Sequence, residues 1–450
     1  MTPKKSWISL AIAGTSLVVV GGLLLASANV SSSAFTLDAE TVEIDALNVE
    51  AASVGTSAFW DSSQVHSISL SYDDADYDAM IATYLDTGEK EWITATVVID
   101  GTVIDNVGLK LKGNSSLRGL STDADAELSA EDPASLPWII NLDKFVDDQD
   151  YDGATEFVVR GNATETALNE ALALELLEAS GLAAEQAVAV EFEIDGESSL
   201  RLVIENPNNS WADREFDNAD ALYKAESGGD YSYRGDDPAQ YDEAFDQEAG
   251  DDDLEPLTAF LQFINESDDE TFAAELDQWL DVESFATYLA FQELVGNFDD
   301  IDGPGNNSYL AYDGDTGLMT VVSWDLNLSF GVTNNDAAGA RQPGGLPSAR
   351  ELPEPPADAS AQGGDTVEGA GGGAQGSNIL SQRFLENTEF SAAYEAELDR
   401  LSELLFTSGF AQSALDEWSE ALTADASGLV ASTVVAEEAA SVMQNFPLAS

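Results

Sequence analysis

Between Phe298 and Gly331 the chain reads FDDIDGPGNNSYLAYDGDTGLMTVVSWDLNLSFG, with aspartates at 299, 300, 302, 313, 315 and 325. The runs 308–312 and 318–324 are strand-like, and Asp313-Gly-Asp-Thr-Gly317 between them has turn composition. A hairpin pairs residues at a roughly constant index sum, so Asn307 and Asp325 share its open end. Asp313 and Asp315 fall at the tip, ~17 Å away at the rise of a strand, and serve the turn. At the open end gather Asp299, Asp300, Asp302, Asn307 and Asp325. Carboxylates and an amide oxygen are hard ligands, suited to Mg²⁺ or Ca²⁺. The competing reading is a solvated acidic loop.

Asp302 and Asn307 have the spacing Asp-x-x-x-x-Asn, that of the base and a metal ligand in protein-kinase catalytic loops. Alone the pattern is weak; it gains from a second Asp on the hairpin that follows. The chain has no Cys and a single His, His66. Disulfides, thiol catalysis and Cys/His zinc sites are therefore excluded. His66 lies in an alternating, strand-like run and reads as a satisfied histidine. Acid–base work must come from carboxylates, Lys or Tyr.

The charge background decides how these residues are weighed. There are 85 acids against 16 bases in 450 residues, a net charge of −69. Nucleic acid and acidic membrane surfaces would be repelled. Such a surface suits high salt, where screening shortens the range of self-repulsion. Scarcity makes each base informative. Lys110, Lys112, Arg118, Lys144 and Arg160 fall within about fifty residues; they either neutralise nearby acids or form an anion site, phosphate being the plainest candidate.

The elements that must position these residues form a mixed α+β pattern. Alternating runs from Val65 to Tyr72, from Trp92 to Gly113, and in WIINLDKF and EFVVRG read as strands, with Asp100-Gly101 as a hairpin turn. TETALNEALALELLEASG reads as a helix capped by Thr164 and stopped by Gly181, followed by two strands joined at Asp195-Gly196. Residues 206–255 read as loop-rich, and helical patterns follow from Pro256. Residues 334–377, rich in Gly and Pro, read as a flexible insert, and helices resume over 379–445. The opening 28 residues, with Lys4, Lys5, an apolar run and Ala26-Ser-Ala28, read as an export signal or membrane anchor; 29–56 reads as a tether.

VGLKLKGNSSLRG, PWIINLDKF, ALYKAE, GPGNNSYLAYD and VVSWDLNLSFG resemble the CotH family of atypical, kinase-like proteins first recognised among spore-coat proteins. The resemblance runs from about Phe59 to the C-terminus. It implies a divergent two-lobed protein-kinase fold: a strand-and-helix N-lobe over 57–205, a mainly helical C-lobe over 206–333 with the hairpin, and C-terminal helices of that lobe over 378–450. It also implies an enzyme that uses ATP and Mg²⁺, with Mn²⁺ as an alternative, to phosphorylate Ser or Thr of exported proteins. By position Asp325 corresponds to the family's Mg²⁺-binding Asp and Asn307 to its Asn. Asp302 has the better spacing for the base; Asp299, in Asn297-Phe298-Asp299, is the alternative; Asp300 reads as solvated. Lys112, Arg118, Lys144 and Lys224 are the phosphate-binding candidates. Lys144, read on a strand before the helix, would pair with Glu170 or Glu175, and Glu205 would mark an inter-lobe hinge.

The runner-up is a catalytically silent surface scaffold or adhesion protein that retains the fold and binds Ca²⁺. DDQDYDG at 147–153 hints at a calcium loop, but an EF-hand starting at Asp148 would need Glu where the chain has Val159. Either way, the expected location is the exterior or cell surface, with membrane contact only through the N-terminal segment.

Overall fold

The first half forms seven strands, three of which alternate clearly between buried and more exposed residues. They are β1 (His66–Tyr72), β2 (Ile93–Ile99), β3 (Thr102–Leu111), β4 (Trp138–Asn141), β5 (Glu156–Val159), β6 (Ala187–Ile194) and β7 (Glu197–Ile204). In the computed structural model they close into a barrel in the order β1-β2-β3-β4-β5-β7-β6. Closure comes from parallel pairing of β1 with β6, His66 opposite Val190 and Leu70 opposite Ile194. The barrel holds a core that includes Ile68, Val97, Leu109, Trp138, Phe157 and Phe192. Asp100-Gly101 and Asp195-Gly196 turn the two hairpins with φ of 47° and 81°, and 55° and 79°. This is the double left-handed turn that matches strand twist.

The structure describes residues 58–113, 115–123, 126, 128–216, 219–226, 228–303, 307–333 and 378–447. All lie within one unit, Gly55–Ser450. The signal or anchor at 1–28, the tether at 29–56 and the insert at 334–377 lie outside the described residues. Among the described residues no helix is long and apolar enough to cross a membrane.

Helix α1 (Asp74–Thr87) was not expected from the sequence. Its signals are an Asp73 cap accepting from the Ala75 N–H at 2.9 Å and Gly88 at φ 79°. Helix α2 (Leu168–Ala179) is buried almost all round. Thr164 is not its N-cap. Ala167 holds that position at φ 55°, and the Thr164 hydroxyl accepts from the Ala167 N–H one turn earlier. The Glu438 carboxylate accepts from the N–H groups of Glu165 and Thr166 at 2.9 and 3.0 Å. The turn that leads into the helix is thus held by a residue more than 250 positions away, which no local pattern reveals.

Residues 206–255 correct the loop-rich reading. They contain α3 (Asn209–Glu215), β8 (Ala221–Ala225) and β9 (Phe245–Gly250). With β10 (Ser308–Asp313) and β11 (Leu318–Ser323) these strands form a second sheet, ordered β11-β10-β8-β9. Helices α4 (Glu255–Glu266), α5 (Asp269–Glu275), α6 (Val282–Val295) and α7 (Ile379–Glu386) share a core with this sheet. Then come α8 (Thr388–Leu401), a π-helical turn (Ser402–Thr407), α9 (Phe410–Asp425) and α10 (Ser432–Gln444). A third core joins α2 to barrel residues Ala189 and Leu202, to Leu415, Trp418 and Val435 of the last helices, and to Trp324, Leu326 and Phe330 after the hairpin. Helix α2 is therefore packed against both the barrel and the segment that carries Asp325.

Candidate active site

The hairpin forms as its index sum requires. Ser308 pairs with Ser323 and Asp313 with Leu318. Asn307 therefore lies opposite Trp324, next to Asp325. At the tip the Asp313 carboxylate accepts from the N–H groups of Asp315 and Thr316 at 2.8 and 3.2 Å, a turn-forming role.

Asp325 sits at φ 59°, ψ 63°, at the start of the 3₁₀ turn Leu326–Leu328. A non-glycine residue is strained there, and surrounding structure must hold it. Leu326 and Leu328 are buried beyond it, and Asn169 of α2 donates to the Asn327 carbonyl at 2.7 Å. Before it, Trp324 meets Tyr309 edge-on at 5.5 Å, and Gln292 of α6 donates to the Ser323 hydroxyl at 3.0 Å. Gln292 also accepts from Asn297 Nδ2 at 3.0 Å. One side chain thus ties the hairpin to the segment that leads into Asp299.

Asn307 Nδ2 donates to Asp299 Oδ2 at 2.9 Å. Burial, reinforced by the nearby Asp325 charge and opposed by Asn307, pushes the Asp299 carboxyl up to about 6. Asp302 is placed differently. Its side chain is exposed, and it acts electrostatically on Tyr394 of α8. The spacing that singled out Asp302 therefore does not bring it to Asn307; the structure brings Asp299. Asp300 is not solvated either. It is 7% exposed and accepts from the N–H groups of Asp302 and Gly303 at 3.1 and 3.0 Å. Burial and then Asp302 push its pKa up to about 7.

Of the two readings of the basic group, Arg160 takes the one that neutralises acids, and in doing so it links the two halves of the site. Arg160, just after β5, pairs through Nη2 with Glu170 Oε1 at 2.8 Å and with Asp325 Oδ1. Burial opposes the Arg160 charge, but Asp325 and Glu170 overcome it and push its pKa up. Burial raises the Glu170 pKa, Arg160 lowers it and Asp325 raises it again. The signal was present: Arg160 is one of few bases and stands between a strand and the one helix of its region. Proximity in space could not be read from it.

Lys144 corrects two expectations. Strand β4 ends at Asn141, so Lys144 lies in the turn beyond it, and its Nζ stands 4.9 Å from the Trp92 ring. Glu170 belongs to Arg160, and Glu175 accepts from Trp418 Nε1 at 2.6 Å, so neither pairs with Lys144. Glu205 follows β7, accepts from the Gln186 N–H at 2.7 Å and pairs with Arg214 of α3. Arg118 is exposed.

Lys112 and Lys224 do approach the site. Lys112 Nζ lies 5.7 Å from the Trp324 ring and donates to Asn206 Oδ1 at 3.1 Å. Burial and then Lys224 bring its pKa down to about 8, against Glu248 and Glu156. Lys224 is opposite Tyr309 in the sheet and pairs with Glu226. His66 is buried, with Nδ1 2.8 Å from Asp100 Oδ2 and Nε2 3.2 Å from the Asp61 carbonyl, a satisfied histidine as expected.

The donors at the hairpin end fit a magnesium ion in a nucleotide complex. Mg²⁺ takes one or two carboxylates and fills the rest with water and phosphate oxygens. Asp325 would supply a carboxylate and Asn307, whose amide nitrogen is turned to Asp299, an amide oxygen. Among the described residues no three His, Cys, Asp or Glu side chains gather to hold a metal by themselves. The 147–153 loop is no exception. Asp150 accepts from the Gly153 N–H at 2.9 Å, and Asp152 from the Phe59 N–H at 3.2 Å.

A comparison with curated proteins returned no match. A family model described as CotH kinase protein matches residues 110–430, which contain every site residue discussed above except Trp92 and His66 with its partners. That span is well over half of the 450 residues, and the chain belongs to the CotH kinase family.

Proposed function

We propose that the protein is an ATP-dependent protein kinase of a divergent two-lobed design, with the barrel as N-lobe and the second sheet and its helices as C-lobe. One observation carries the reading: Arg160 ties the buried helix glutamate Glu170 and the partly exposed hairpin aspartate Asp325 into one cluster. Active protein kinases need a basic residue paired to a helix Glu and, close by, a metal-binding Asp. Here Arg160 takes the basic role.

In this reading Lys112 and Lys224 hold the phosphates of ATP, and Asp325 and Asn307 would hold Mg²⁺, with Mn²⁺ as an alternative. The metal, when bound, offsets charge on the transferring phosphoryl group. Asp299 orients the acceptor hydroxyl of a Ser or Thr and receives its proton. The acceptor oxygen forms its bond to the γ-phosphorus as the bond from that phosphorus to the β,γ-bridging oxygen breaks, leaving ADP. A base pushed up to about 6 is largely ionised above neutrality yet basic enough to share a proton in the transition state. Asp299 replaces Asp302 as the proposed base because it contacts Asn307.

The acceptor is proposed to be an exported protein, and the enzyme to work outside the cytoplasm or at the cell surface, as residues 1–28 suggest. The test is transfer from labelled ATP with Mg²⁺ or Mn²⁺ to the chain itself or to a Ser-rich acceptor. Asp325→Ala should abolish transfer and Asp299→Asn should lower it by about 10²–10⁴, while Asp302→Asn retains it. Absence of both ATP binding and transfer in the wild type would sink the kinase reading and favour the scaffold. Activity in Asp299→Asn but not in Asp302→Asn would return the base to Asp302.

A further inference from the structure

Several of the scarce basic side chains gather beside the proposed phosphate site. Lys110 Nζ stands 4.4 Å and Lys144 Nζ 4.9 Å from the ring of Trp92. Gly108 and Lys110 are two apart on β3 and share one face of it, and Lys112 follows one residue past the strand's end. A Cβ at Gly108 would come within 2.7 Å of Lys144 Cβ and 2.9 Å of Trp92 Cε3. Glycine at 108 is what lets both side chains close over the strand. The ring then holds the two ammonium groups by cation–π attraction.

This arrangement runs against the composition. With 85 acids to 16 bases, acids are abundant as partners. Yet among the described residues neither Lys110 nor Lys144 forms a salt bridge, and they lie close enough to repel. Burial and then Lys144 push the Lys110 pKa down; burial and then Lys224 do so for Lys90. Glu156 and Glu248 offset only part of this at Lys110. Crowded ammonium groups in an otherwise strongly negative molecule are relieved by an incoming anion. Phe145 and Val146, directly after Lys144, are exposed by 47% and 41%.

We propose that the Lys110–Lys144–Trp92 face docks an acidic segment of the acceptor polypeptide, two to four residues from the phosphorylated Ser or Thr. The proposal rests on the kinase reading for the acceptor's fate. Lys112, beside Trp324, serves ATP. Lys110 lies ~7 Å farther along the strand, the length of two extended residues. The positive face therefore extends the proposed phosphate site by about two extended residues, and in this proposal it selects Asp or Glu beside the acceptor. A phosphoserine there supplies the same chemistry.

The test uses the full chain and three labelled peptides that differ only beside one Ser: Asp/Glu, Asn/Gln, or phosphoserine. In anisotropy titrations without nucleotide, the acidic peptide should bind ~10-fold tighter than the amide peptide. Lys110→Gln/Lys144→Gln should erase that difference, and Lys110→Arg should keep it. With ATP, the double variant should raise KM for the acidic peptide alone, with KM for ATP and turnover of the amide peptide unchanged. The phosphoserine peptide binding as tightly as the acidic one supports a general anion face; preference for phosphoserine alone would overturn the acidic-segment assignment. Equal binding of the acidic and amide peptides would overturn the docking face. A rise in KM for ATP with every peptide would give the face to the nucleotide and overturn it too. If neither peptide is phosphorylated but the acidic preference exists and vanishes in the double variant, the kinase reading falls while the docking face stands.

Discussion

Asp299 and Asp300 are neighbours in sequence with opposite tasks, and pH separates them. Asp299 faces Asn307 with a carboxyl pushed up to about 6. A base works when ionised, so kcat/KM should rise as pH passes upward through about 6 and then level off, as a pH–rate profile with a neutral peptide would show. Asp299→Asn should lower kcat by about 10²–10⁴, the usual worth of a positioned base, with little change in ATP affinity by calorimetry. Asp300 instead holds the loop through two backbone N–H groups, and its pKa stands at about 7. A carboxyl raised on folding stabilises fully below its unfolded value near ~4. That contribution is lost as pH rises through the folded value. The Tm difference between wild type and Asp300→Asn should therefore shift in the variant's favour from pH 4 to pH 8. A difference that stays constant over that range would remove Asp300 as the titrating group.

At the scale of elements, α2 is the joint between the barrel and the hairpin. Glu170 is 2% exposed by its side chain, and Arg160 12%. Arg160→Met should leave Glu170 and Asp325 without their counter-charge and cost about 3–5 kcal/mol, the usual loss when a buried pair is broken from one side. Arg160→Met/Glu170→Met should recover much of that stability in denaturant titrations, without recovering activity. Recovery of activity would show that the pair serves folding alone. Helix α2 was legible from its Leu and Ala content, and the hairpin from its turn. Their meeting was not. Arg160 and Asp325 are 165 residues apart, and local periodicity carries no record of which elements pack together. Strands β8 and β9 were missed because their burial comes from β10 and from helices that follow later in the chain.

For the molecule as a whole, charge makes two opposite predictions. A net charge of −69 repels itself in the folded state, and screening relieves that repulsion. Tm should rise between 0.1 and 2 M NaCl. Over the same range, acidic-peptide binding at the Lys110–Lys144 face should weaken, because there salt screens attraction. A Tm that falls with salt would remove the high-salt reading of the composition. Parallel trends in Tm and peptide affinity would show that the face is not electrostatic.

By itself the sequence determined the mixed α+β class, the hairpin with its plain tip and working end, the satisfied His66, and the shared hairpin end of Asn307 and Asp325. These follow from local rules: alternation, turn composition and the constant index sum of a hairpin. The tertiary structure decided the rest. It closed the strands into a barrel, gave Glu170 to Arg160 and Lys144 to Trp92, and placed Asp299 against Asn307 with Asp302 left exposed. Each of these depends on contacts between distant segments and on which carboxylate is removed from water. Spacing along a chain cannot encode either, because a loop between two fixed ends still chooses which side chain it turns inward.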